Sequence, residues 1–359
     1  MQRRATRSPR LSPSERPPSR LGSLDALRGL AALAVVLFHY TTNLRLNYPQ
    51  FNPPIELPHG HFGVELFFVV SGFVIFMSLA RVRSVAEFAI ARVGRLYPAY
   101  WAAVLFTSAI LSTGGLPDRA LDWTSSILNL SMLQEFFGAR HVDGVYWTLS
   151  RELVFYLLMG ALLRWKKTDR VHAVMGLLLL VQAGLSIAAR TGLPELRHNN
   201  LASMLLFPYI HLFSAGIALY GIHRNRHSRR DLLLLGSTVL CELLLPRPEG
   251  GTLGHLIVLA CMTGVGLVAT DRLQWLATRP LLWLGSISYA LYLVHQNIGY
   301  WMIHRLTANG ISLPLSLALA LGTSLVTAHL LRNLIEEPGQ QAIKAWWKRR
   351  QDVAAAQAN

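Results

Sequence analysis

Arg28 and His39 lie eleven residues apart in the apolar stretch LDALRGLAALAVVLFHY. A charged group and a titratable one are costly inside a membrane and mark a task there. Eleven residues at 100° each end about 20° past three full turns, so the two side chains share one helix stripe, ~16 Å apart along the axis. Glu65 in HFGVELFFVVSGF, Glu152 in YWTLSRELVFY and His295 in SISYALYLVHQ add two carboxylates and a second imidazole, each from a different apolar segment. Counted along their segments, all four ionisable groups besides Arg28 fall in the outer third of a membrane. Two histidines and two carboxylates are what proton transfer needs: a base, a group to orient it, and a group to stabilise charge. Each has a plainer reading. A lone intramembrane His is often a hydrogen-bonded packing residue, Glu65 sits near the boundary where water reaches, and Arg151 beside Glu152 can snorkel outward. Arg92 and Arg95, in RVGRLYPAYW, are three apart and share a helix face. Paired guanidiniums suit phosphates through forked hydrogen bonds, and equally suit a basic membrane anchor.

These residues need apolar helices to hold them. Of 359 residues, 52% are hydrophobic and 15% charged, and the mean hydropathy is +0.35. That composition belongs to an all-α, polytopic membrane bundle rather than to a soluble domain. Ten runs are long enough to be spans: 24–43, 62–80, 97–113, 147–164, 171–189, 202–222, 231–246, 253–270, 281–303 and 312–334. No small-residue cleavage site follows the first, so it is read as a retained helix. The net charge of +15 invites a nucleic-acid partner, but the Lys and Arg sit in short runs between spans. With both termini cytosolic, 24 of them fall on the inner side and 7 on the outer, a positive-inside pattern that excludes the nucleic-acid reading. Trp123–Phe137 is read as an outer interfacial or re-entrant helix, because an eleventh span there would invert the charge pattern. Residues 1–23 form a basic disordered tail, 24–338 the membrane domain and 339–359 a basic cytosolic tail. Cys241 and Cys261 both fall in apolar stretches, which implies neither a disulfide framework nor a metal site.

From Leu24 to Pro338 the chain resembles the membrane acyltransferase-3 family, bacterial enzymes that acylate glycans and some antibiotics. Arg28-x10-His39 matches that family's Arg/Lys-x10-His signature, and GVELFFVVSGFVI, with Ser71-Gly72-Phe73, its second-helix motif. Arg92-x-x-Arg95-Leu-Tyr-Pro matches its RxxR element and YWTLSRELVFYL, with Glu152, its Trp–Ser–Glu motif; SISYALYLVHQ and LIEEP resemble its ninth-helix and C-terminal patterns. The resemblance implies a cytosolic donor, usually acetyl-CoA, and an acceptor hydroxyl on the outer side or within the bacterial inner membrane. It implies that His39 is the base, with Glu65, Glu152 and His295 in the same catalytic group. It also implies that Arg28 and Ser71 serve the donor path and that Arg92 and Arg95 face the CoA phosphates. No resident metal is expected; membrane lipid and a glycan or lipid-linked saccharide are the expected partners. Arg151 departs from the pattern. Some members carry a further hydrolase-like domain; here the membrane unit is expected to complete the transfer or pass the acyl group to a separate protein.

Direct transfer, with His39 oriented by Glu65 or Glu152, and a covalent acyl-histidine route both fit the residues. A proton-coupled transporter, a non-catalytic assembly subunit, and acyl transfer to a secreted small molecule are the rival readings. The longest outer loop, 114–146, is the expected lid or specificity element.

Overall fold

A computed structural model describes residues 22–191, 206, 208–246 and 250–358, apart from 115, 117, 118, 120 and 121. The expected disordered tail lies outside the described residues up to position 21, as does the start of the sixth expected span. Among the described residues the chain is all-helical, without a strand. Five stretches are long and apolar enough to cross a membrane: Gly22–Asn47, Pro58–Leu79, Thr168–Thr191, Gly251–Ala269 and Leu313–Ala354. Other expected spans fall on helices that are shorter, more polar or broken. The run at 147–164 carries Arg151 and Glu152, and the run at 281–303 is interrupted at His295.

Helix α1 (Gly22–Asn47) contains a π-helical turn at His39–Asn43. A 3₁₀ turn at Pro58–Phe62 leads into α2 (Gly63–Leu79). α3 (Val85–Ser112) starts on Ser84, whose side chain accepts from the Glu87 N–H, satisfying one of the free donors at a helix start. After the short α4 (Trp123–Asn129) come α5 (Trp147–Arg164), α6 (Val171–Thr191), α7 (Ile210–Arg224), α8 (Arg229–Leu244) and α9 (Gly251–Ala269). α10 (Arg279–Val294) and α11 (Gln296–Ala308) flank His295; α12 (Leu313–Leu331) runs through a second π-helical turn, Arg332–Glu336, into α13 (Glu337–Ala358). The basic C-terminal segment is therefore helical, and it packs against α3.

Two tight helix pairs form the frame. α1 packs on α10, and α2 on α7. Both pairs close on glycine. A Cβ on Gly29 would lie 2.6 Å from the Gly285 nitrogen, and one on Gly72 would lie 2.2 Å from the Phe213 carbonyl oxygen. Small residues let backbones approach where lipid offers no hydrophobic drive between helices. α7 is buried almost all round, enclosed by α2, α6, α8 and α9, and its residues are mostly apolar, with His211 and Ser214 buried among them. The seam between the α1–α10 pair and α2, closed by α3 and α5, carries the polar residues singled out above.

Trp123 and Phe137 are exposed in the segment read from the sequence as interfacial. The rest of that segment is not loose. Asn129, fully buried, donates to the carbonyls of Ser125 and Arg140 and accepts from the Val142 N–H.

Candidate active site

His39 opens the π-helical turn of α1, a local widening of the helix that is frequent at functional sites. Its Nδ1 lies 2.9 Å from the Val35 carbonyl oxygen and 3.1 Å from Nε2 of His295. The two rings meet edge to face, 4.9 Å apart at 61°. His295 in turn points its Nδ1 at the carbonyls of Tyr292 and Leu291, at 2.9 and 3.1 Å. These partners assign the tautomers. Carbonyl oxygens only accept, so His295 carries its hydrogen on Nδ1 and offers Nε2 as acceptor. His39 likewise carries hydrogen on Nδ1, shared between Val35 and His295, and its Nε2 keeps a free lone pair. Tyr40, next to His39, donates to the His295 carbonyl at 2.7 Å, and Gly299 makes room for the Tyr40 hydroxyl.

His39 lines a pocket of about 540 Å³ together with Asn43, His61, Glu65, Trp147 and Gln296; it is called the outer pocket after the side to which the charge pattern of the sequence assigns this end of α1. Glu65 is 7% exposed. His39, His295 and Glu65 are therefore gathered at one level, as the sequence suggests. Glu152 is not. Its Oε1 accepts from Ser71 at 2.9 Å and from Tyr156 at 2.7 Å. Ser71 is six residues below Glu65 on α2, about 9 Å lower. Counting residues from the start of α5 misses this, because the count along α5 does not say which turn of α2 its side chains meet.

Glu152 belongs to an inner cavity of about 110 Å³, where Arg28, Arg92, Arg95 and Ser71 also meet. Arg92 lies over the rings of Phe88 and Tyr156, at 5.8 and 5.7 Å. Arg95 lies over Tyr289 and is ion-paired with Glu336. Arg28 lies 3.5 Å from Asp25. Arg28 and Arg95 also line a mouth of about 250 Å³, with Asp25, Arg332, Glu336 and Glu337. Val64 and Tyr292 are common to the inner cavity and the outer pocket. Mouth, cavity and pocket thus follow one another along the seam, sharing walls at each step.

Sequence reasoning missed three members. Tyr156 is one helical turn from Glu152, a spacing that makes neighbours. Glu336 stands in LIEEP, but its partner Arg95 is 241 positions away. Glu135 pairs with both terminal nitrogens of Arg151, which is 3% exposed. Arg151 therefore does not snorkel; it ties α5 to the outer loop.

The chain belongs to the acyltransferase-3 family: the family's acyltransferase-domain model matches residues 21–332. The chain is similar to nodulation protein 10 of Rhizobium leguminosarum bv. viciae, 29% identical over 215 residues, a match covering 54% of this chain and 58% of that protein. It is also similar to the exopolysaccharide production protein ExoZ of Rhizobium meliloti (strain 1021), 31% identical with 66% of this chain and 75% of that protein covered. Acyltransferase MdmB of Streptomyces mycarofaciens is 27% identical, with 94% and 95% covered. The match thus spans less than two thirds of nodulation protein 10 but nearly all of MdmB. No solved structure matches the chain.

Proposed function

We propose that this protein is an O-acyltransferase of the bacterial inner membrane that moves an acetyl group from cytosolic acetyl-CoA to a hydroxyl of an outer glycan or lipid-linked saccharide. The reading takes the chain as ten spans with both termini cytosolic. The observation that carries it is the succession of spaces along the seam: an arginine-bearing mouth and cavity at one end, and a histidine with a free ring nitrogen about 16 Å higher at the other.

Arg92 and Arg95 hold the donor phosphates, and Arg28 and Ser71 line the route of the extended donor arm. His39 Nε2 takes the proton of the acceptor hydroxyl as its oxygen attacks the thioester carbonyl. The C–S bond breaks, and the CoA sulfur leaves with the proton that His39 accepted. His295 orients the base: by accepting from Nδ1–H it keeps Nε2 turned away from itself and stabilises the transient imidazolium. Glu65, in the same pocket, supplies negative charge near that cation. Direct transfer needs only these groups. Acylation of His39 Nε2 as a separate step uses the same geometry, and a burst of acyl-enzyme without acceptor distinguishes it.

A glycan acceptor is favoured by the similarity to ExoZ, whose name concerns exopolysaccharide. Mass spectrometry of surface glycans from cells with the intact gene, a deletion, or His39→Ala at matched level tests the reading. An acetyl increment present only with the intact protein supports it. Unchanged glycans, with the protein well expressed, move the acceptor to secreted small molecules. An increment that persists in His39→Ala removes His39 from the chemistry.

A further inference from the structure

His295 sits in the break between α10 and α11, where a helix ends and another begins without its own capping side chain. The first N–H groups of a helix lack partners within it. Here one partner comes from far along the chain. Asp143, fully buried in the outer loop, accepts the Asn297 N–H on Oδ2 at 2.9 Å and the Val145 N–H on Oδ1 at 3.2 Å. One carboxylate therefore caps the start of α11 and the turn that leads into α5. Further hydrogen bonds close the same joint. Asn297 Nδ2 donates to the Val142 carbonyl at 2.8 Å, Tyr146 to the Leu293 carbonyl at 3.1 Å, and Tyr292 to the Val145 carbonyl at 3.2 Å. Arg119, from the same loop, donates to Asn297 Oδ1 at 3.0 Å and to Asn47 at 3.2 Å, and lies over the Tyr300 ring.

We propose that Asp143 is a positioning residue for acyl transfer: by capping α11 from the outer loop it sets the α10–α11 break at the place where His295 meets His39. The inference rests on the assignment of His39 as the base. A carboxylate at a helix start is also favoured by the helix dipole. Burial pushes the Asp143 carboxyl up to about 6, opposed by the N–H groups of Asn297 and Val145 and by Arg119. The chain at His295 is then held at two points, by Tyr40 at the His295 carbonyl and by Asp143 at the Asn297 N–H. The loop is in this respect a brace across the outer pocket rather than a free lid.

The test uses membranes from cells expressing the full chain, supplied with radiolabelled acetyl-CoA, with label counted in envelope material and rates normalised to folded protein by thermal melting in detergent. Asp143→Ser keeps a short local cap for Val145 but cannot reach Asn297. It lowers the maximal rate about 30- to 100-fold, the order produced by a ~1 Å misplacement of a reacting group, and leaves the acetyl-CoA KM within about twofold, because the donor phosphates bind at the other end of the seam. Asp143→Asn, whose amide oxygen still accepts the Asn297 N–H while its NH2 gives up the Val145 cap, is the converse of the Ser variant and stays within about threefold of wild type. Asp143→Thr reads in the same way as the Ser variant should that one fail to accumulate. A Ser or Thr variant at the wild-type rate, or an Asn variant as slow as they are, overturns the proposal. His39→Ala is run in parallel: full labelling by that variant sinks the catalytic reading itself, independently of Asp143.

Discussion

The outer pocket and the inner cavity share a wall at Val64 and Tyr292 but are built on different chemistry. The outer pocket is roomy, and besides Tyr209 and Tyr292 its ionisable lining is imidazole and carboxylate: His39, His61 and Glu65. The inner cavity is about a fifth of that volume and brings three guanidiniums around one carboxylate, Glu152. Imidazoles exchange protons near neutral pH and guanidiniums do not. The first space is suited to moving a proton, the second to holding fixed negative charge. The difference also shows in how each is braced. His39 and His295 are set by backbone carbonyls and by each other, which fixes tautomers. The arginines are set by aromatic faces and carboxylates, which steady a cation without removing its capacity for further hydrogen bonds.

This contrast predicts that substitutions in the two spaces fail in different kinetic ways. The largest effect is expected at His39. His39→Ala lowers the maximal rate of acetyl transfer about 10³-fold, within the range for loss of a general base, while the acetyl-CoA KM stays near wild type. His295→Ala comes next, at about 10²-fold, since the base remains but loses its orientation. Equal loss at both positions would make the two histidines one catalytic unit; no loss at His295 would break the tautomer argument. Arg92→Ala and Arg95→Ala each raise the acetyl-CoA KM about tenfold with little change in maximal rate, the size of a lost charge-assisted hydrogen bond. A fall in maximal rate with KM unchanged would erase the division between the two spaces. The smallest effect is expected from Gly72→Ala. It forces α2 away from the Phe213 carbonyl and costs about 1–3 kcal/mol of stability, read as a lower melting temperature in detergent, with the ratio of the two kinetic constants preserved.

Much of the candidate site was legible because it depends on local periodicity. The eleven-residue spacing of Arg28 and His39 puts them on one stripe, and the structure places Arg28 in the inner cavity and mouth and His39 in the outer pocket. The three-residue spacing of Arg92 and Arg95 brings both to one cavity. Depth counted along one helix places Glu152 level with Glu65, because such a count ignores how that helix sits against its neighbours. Ser71, on another helix, reveals its height. Arg151 was legible as an oddity but not as a pair, since Glu135 lies in a loop with no period to mark it.

Composition and periodicity by themselves determined that this protein is helical and membrane-borne, because apolar runs can satisfy their backbone in lipid only as helices or closed barrels. The motif spacing by itself also determined which side chains share a helix face. Only the tertiary structure decided which helices meet. The approach of Gly29 to Gly285 and of Gly72 to Phe213 sets the seam, and the seam brings His295 to His39 across 256 positions of chain and Glu336 to Arg95 across 241. Contacts of that range leave no period in the sequence, because they arise from the packing of whole helices rather than from the geometry of any one of them.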